Sequence, residues 1–78
     1  MTNKTLDLRN VICPMNFIKA KIFLEDAFVG EVIEIILDEG DPLVNVTRSL
    51  KEEGHLILKV EHFNETSYKV YIKKGLTE

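Results

Sequence analysis

Cysteine is almost absent from this chain: Cys13 is the only one in 78 residues. A single thiol cannot close an internal disulfide, and it cannot form a CxxC dithiol centre. Any redox or transfer chemistry at this sulfur therefore needs a second molecule. Histidine is nearly as scarce. His55 and His62 lie far from Cys13 in sequence, and zinc sites take several Cys or His ligands at short spacing, so no metal site is expected. A dominant charge is missing too. Ten Lys and Arg are interspersed with thirteen Asp and Glu for a net charge of −3. Phosphate backbones are bound by clustered cations, so direct nucleic-acid binding is not expected. No apolar run is long enough to cross a bilayer. Met1-Thr2-Asn3-Lys4 opens no hydrophobic stretch of the signal-peptide kind, and a cytoplasmic protein without membrane contact is expected. Repeats, low-complexity tracts and linkers are also lacking. The length leaves room for one core, so residues 1–78 are expected to form a single domain.

What is present is a tight alternation of elements. Leu6 and Leu8 alternate with Asp7 and Arg9 as a short half-buried strand, and Asn10 sits where that strand must end. Asn tolerates the left-handed backbone. The spacing predicts a helix from Pro14 to about Ala27, with Pro accepted in the first turn because its missing N–H has no partner there anyway. Phe17, Ala20, Leu24 and Ala27 form its main buried face. Glu31 to Asp38 is a strand rich in β-branched residues, with Ile33, Ile35 and Leu37 directed to the core. Glu39-Gly40 is a turn, and Asp41-Pro42 predicts a helix start with Asp41 as N-cap. Leu43, Val46 and Leu50 are its buried face, and Gly54 ends it. Two alternating segments, from Leu56 and from Tyr68, flank a turn at Asn64-Glu65-Thr66 and make an antiparallel hairpin. The order is β-α-β-α-β-β. Right-handed crossovers between parallel strands then give an α+β fold: a two-layer sandwich with a four-stranded mixed sheet and two helices on one face. The other face carries Lys59, Glu61, Lys69 and Lys73.

Cys13 falls where the first strand's connection becomes the helix. A side chain there meets unpaired N–H groups and the positive end of the helix dipole, which favour thiolate over thiol. With Cys13 as N-cap, the N–H groups of Met15 and Asn16 are the expected donors to the sulfur, since Pro14 has none. The opposing reading is a buried cysteine acting as a small hydrophobe, suggested by the neighbouring Val11-Ile12; position alone weighs the two about equally. A catalytic cysteine usually needs a base within reach. Neither histidine has a sequence link to Cys13, and surface positions are expected for both. A carrier thiol needs only nucleophilicity and access, and can pass sulfur by thiol exchange.

The run from Leu6 to Asn16, with Cys13-Pro14 as its specific part, resembles the opening of the TusA/SirA family of small sulfur-relay proteins. That family has a strand followed by a Gly-x-x-Cys-Pro-x-Pro signature opening a helix. Gly30-Glu31, the acidic turn Asp38-Glu39-Gly40-Asp41-Pro42, Glu53-Gly54-His55 and Ile72-Lys73-Lys74-Gly75 extend the likeness over almost the whole chain. The resemblance implies a two-layer α/β sandwich and a persulfide carried on Cys13, with Pro14, Met15 and Asn16 in support. A cysteine desulfurase or other donor protein would supply the sulfur. An acceptor sulfurtransferase protein would receive it for tRNA thiolation, molybdenum-cofactor maturation or sulfur metabolism. Pyridoxal phosphate would belong to the donor, so no cofactor is expected here, nor any self-contained catalytic turnover. Two positions depart from the signature. Asn10 replaces its glycine, and Asn16 replaces its second proline. The second change is expected to give the sulfur one more N–H donor.

The alternative is a small regulatory or RNA- or protein-binding module in which Cys13 is structural. Fold by itself does not decide between them. A reductase or hydrolase is weakest, lacking both a second cysteine and a base. Met15, Ile18 and Ile22 form a second apolar stripe on the first helix. The simplest expectation is that the second helix packs over it, leaving Met15 the best candidate for exposure. Lys19, Lys21, Arg48 and Lys51 could form a basic rim, though solvated surface is the plainer reading for at least half of them. Asp38 and Asp41 read as cap and turn residues. Tyr68 and Tyr71 fall on opposite strand faces and so make no stacking platform.

Overall fold

A computed structural model describes residues 4–12 and 14–75. Its elements are β1 (Lys4–Asp7), α1 (Met15–Glu25), β2 (Val32–Asp38), α2 (Asp41–Glu52), β3 (Leu56–Asn64) and β4 (Ser67–Lys73). The strands form one sheet in the order β1-β2-β4-β3. β1 runs parallel to β2, and β4 lies antiparallel to both β2 and β3. The α2 crossover therefore skips a strand, and β4 fills the gap by hairpin return. This is the expected α+β sandwich.

The register sorts the side chains. Ile33 pairs with Ile72, Ile35 with Val70 and Leu37 with Tyr68. Ile33, Ile35, Leu37, Val70 and Ile72 share a core with Ala20 and Leu24 of α1 and Val46 and Leu50 of α2, which puts both helices on one face. Burying each such aliphatic side chain contributes about 1.5–3 kcal/mol. On the other face, Glu34 accepts from Thr5 and pairs with Lys69 at 3.3 Å. Tyr71 Oη donates to Glu61 at 2.7 Å. Phe63 packs beneath the Arg9 guanidinium, 5.0 Å from its ring centre.

Three local expectations change. The α2 N-cap is Gly40 at φ 89°, and Asp41 is the first helical residue. With positive φ already set by the glycine, the acid sits one position inside, where it still complements the helix dipole. In β3, register breaks between Ile57 and Lys59 and between His62 and Asn64. They shift the alternation, so Ile57 and Val60 face the helices. Third, His55 is buried rather than on the surface. Its Nδ1 accepts the Gly75 N–H at 3.1 Å, tying the end of the described chain to the α2–β3 turn.

Candidate functional site

The parallel pair β1–β2 creates the site. In open α/β sheets, ligands meet the chain beyond the carboxyl ends of parallel strands, and the 8–14 connection leaves β1 at that end. Leu8 extends the ladder by donating to the Ile36 carbonyl at 2.8 Å. Its side chain is buried in the core. Arg9 then folds back on Asp7. Its backbone N–H and guanidinium both donate to that carboxylate, at 2.6–3.1 Å, and hold the Asp7 carboxyl down at about 2.

Asn10 turns the chain at φ 65°, the left-handed value its short polar side chain tolerates. Its N–H donates to Asp38 Oδ2 at 2.7 Å, and Val11 N–H closes back on the Leu8 carbonyl at 3.2 Å. The loop is therefore tied to the last residue of β2 on one side and to its own base on the other. Asp38 is the residue sequence reasoning undervalued. By sequence it is a turn or cap residue, and a position at a strand end carries no sign that the residue clamps a distant loop.

Cys13 lies outside the described residues. The residues on either side are exposed: Ile12 retains 76% of its surface, and Pro14 is also exposed. Pro14 takes the N-cap position of α1 and offers no side-chain cap. The first-turn N–H groups can be followed one by one. Asn16 N–H donates to the Ile12 carbonyl at 3.1 Å; its expected contact with the sulfur falls on Cys13, outside the described residues. Phe17 N–H goes to Asn16 Oδ1 at 2.7 Å, and Ile18 N–H to the Pro14 carbonyl at 3.0 Å. Among the described residues, Met15 N–H meets no acceptor. The Asn16 side chain is fully buried, and its Nδ2 has no hydrogen-bond partner among the described residues.

The apolar stripe on α1 is exposed. Met15, Ile18 and Ile22 keep 45%, 40% and 57% of their surface. The expected cover by α2 does not occur, because α1 packs inward through Ala20 and Leu24, on the side where α2 contributes Val46 and Leu50. The basic residues do not act as a group. Lys21 pairs with Glu53 at 3.7 Å and Arg48 donates to Asn45 at 2.8 Å, while Lys19 and Lys51 are exposed. Tyr68 and Tyr71 do fall on opposite faces of the sheet, opposite Leu37 and Glu34.

Residues 4–74 match the family described as Sulfurtransferase TusA. This chain belongs to the TusA family. It is 39% identical over 72 residues to a protein of Archaeoglobus fulgidus provisionally named a sulfur carrier protein, covering 92% of this chain and 82% of that one. A Thermotoga maritima protein with the same provisional name is 31% identical over 70 residues, covering 90% and 89%. The fold agrees as well. The SirA-like protein of Desulfitobacterium hafniense superposes with a TM-score of 0.78 at 21% identity, over 95% of this chain and all of that one. A Helicobacter pylori protein gives 0.76 at the same identity and coverage. Membership makes this TusA-family chain a sulfur-carrier type, one that works between donor and acceptor proteins. No helix among its described residues is long and apolar enough to cross a membrane.

Proposed function

We propose that the protein is a cytoplasmic carrier that holds sulfur as a persulfide on Cys13. In the loading step, the Cys13 thiolate attacks the terminal sulfur of a donor persulfide, such as that of a cysteine desulfurase. A new S–S bond forms at Cys13, the donor's own S–S bond breaks, and the donor cysteine leaves as thiolate. Unloading repeats the exchange toward an acceptor sulfurtransferase protein, for tRNA thiolation, cofactor maturation or sulfur metabolism. The observation that carries this reading is the family match spanning the lone cysteine. The pinned loop supports it, since Asp38 and the Leu8 carbonyl hold the approach to Pro14 in place while Ile12 and Pro14 stay at the surface. Met15 N–H, without an acceptor among the described residues, supplies a dipole at the start of α1 that favours negative sulfur.

The exposed stripe of Ile12, Met15, Ile18 and Ile22 begins beside the cysteine and serves as the landing strip for donor and acceptor. An apolar patch next to a reactive group is the usual mark of a partner site.

Incubation with a cysteine desulfurase and cysteine is expected to raise the intact mass by one sulfur atom. Cys13→Ser abolishes the gain with the fold retained. Ile18→Lys with Ile22→Lys slows loading while leaving the melting temperature near wild type, because exposed substitutions typically shift stability by less than about 0.5 kcal/mol. Wild-type protein that gains no sulfur from any of several desulfurases overturns the proposal.

A further inference from the structure

The sheet has two edges, and they differ. β1 is four residues long and polar at Lys4, Thr5 and Asp7. β3 is nine residues long, and Leu56, Leu58, Val60 and Phe63 keep 42–56% of their surface. Natural sheets normally guard an edge with charge, brevity, bulges or a covering element. Here the breaks beside Leu58 and Phe63 disturb both ends of β3, but Lys59–His62 pairs regularly with β4 and, among the described residues, is open on its far side. An apolar groove borders this stretch on the helical side, lined in part by Leu43, Val44, Ile57 and Val60.

We propose that this edge pairs with β3 of a second copy, antiparallel and about a two-fold axis at Val60. The register follows from two requirements. Residues directly opposite in an antiparallel pair lie on the same face, and Val60 faces the helices with Val70 and Ile35, whereas Lys59 and Glu61 lie on the open face with Tyr71 and Lys69. The axis must therefore pass through a residue and not between two. Centring it on Lys59 or on Glu61 sets that charge against its own copy. Centring it on Val60 sets Lys59 against the second copy's Glu61, twice, and Val60 against Val60. Of these three registers only this one is charge-matched, and it extends across the seam the Lys59–Glu61 pair already formed at 3.7 Å within the strand. It covers the half-exposed Val60 and brings the two apolar grooves edge to edge, in one eight-stranded sheet. The regular stretch is short, so the contact belongs with weak interfaces, below about 1,200 Å² of total buried surface.

Sedimentation velocity from micromolar to millimolar protein, with reductant present to exclude disulfides through Cys13, tests the pairing. Wild type is expected to shift from monomer to dimer within that range. Lys59→Glu alone and Glu61→Lys alone each place two like-charged pairs across the seam and weaken association by roughly tenfold or more. The double swap restores it, and an equimolar mixture of the two single variants forms the mixed dimer that neither forms alone. Val60→Lys removes the dimer, and circular dichroism identifies any variant that fails to fold. A wild type that stays monomeric at millimolar concentration overturns the proposal. So does a dimer indifferent to both charge reversals, which would use another face or another kind of contact.

Discussion

Replacing Asn16 by leucine should make the protein more stable. Asn16 is fully buried, with one half of its amide used: Oδ1 accepts the Phe17 N–H at 2.7 Å, while Nδ2 has no partner among the described residues. An unsatisfied buried donor costs about 1–3 kcal/mol, and a single hydrogen bond returns about 0.5–1.5 kcal/mol. Leucine has the same branching and number of side-chain heavy atoms. It removes the idle donor, adds apolar burial, and gives up only the Phe17 bond. The balance is a gain of about 1 kcal/mol, or roughly 4–8 °C in melting temperature for a domain of this size. Thermal melts by circular dichroism read it directly. A loss of about 2 kcal/mol or more would refute the reasoning, because it would mean that Nδ2 is satisfied in solution by a buried water or a neighbouring acceptor. Measuring native-state alkylation of Cys13 on the same variant separates stability from chemistry. A slower thiol in a more stable protein identifies an amide retained for the sulfur.

Further outcomes follow from single contacts. Burial, then the nearby Lys74 ammonium, holds His55 below its ordinary value of 6.5. The unfolded chain therefore takes up this proton first as pH falls, and the stability His55 contributes is present above about 6.5 and lost on acidification through its lower folded value. Urea midpoints between neutral pH and about pH 5 should fall, and His55→Gln should flatten that slope; an unchanged slope assigns the loss to other groups. Asn10→Gly should be nearly neutral, whereas Asn10→Val should cost about 1–2 kcal/mol at φ 65°. Equal denaturant midpoints for the two would contradict the left-handed turn. Gly75→Ala should destabilise the closing contact, because a Cβ there overlaps the Gly54 carbonyl. Hydrogen exchange at the Gly75 and Gly54 amides tests this, and protection as in wild type counts against it.

Legibility varied by element, for identifiable reasons. β2 was plain because Ile33, Ile35 and Leu37 repeat with period two between turn residues. α2 was plain because Pro42 and Gly54 bracket a helix with one apolar face, the N-cap alone moving from Asp41 to Gly40. α1 was legible as a helix and in its main buried face, Phe17-Ala20-Leu24. Its second apolar stripe, Met15-Ile18-Ile22, gave no sign that α2 would leave it bare. At the candidate site, the sequence displayed Cys13-Pro14 and the turn at Asn10. It did not display the Asp38 clamp, the engagement of Asn16 N–H with Ile12, or the burial of the Asn16 amide.

Local chemistry therefore determined the elements, their order, the left-handed turn at Asn10 and the singular thiol at the head of α1, because propensity, capping and period act over a few residues. Only the tertiary structure decided the strand order β1-β2-β4-β3, that α2 leaves the second stripe of α1 bare, which edge stayed open and where His55 was enclosed. Those outcomes depend on which distant segments meet, and contacts between residues far apart in the chain leave no periodic trace in it.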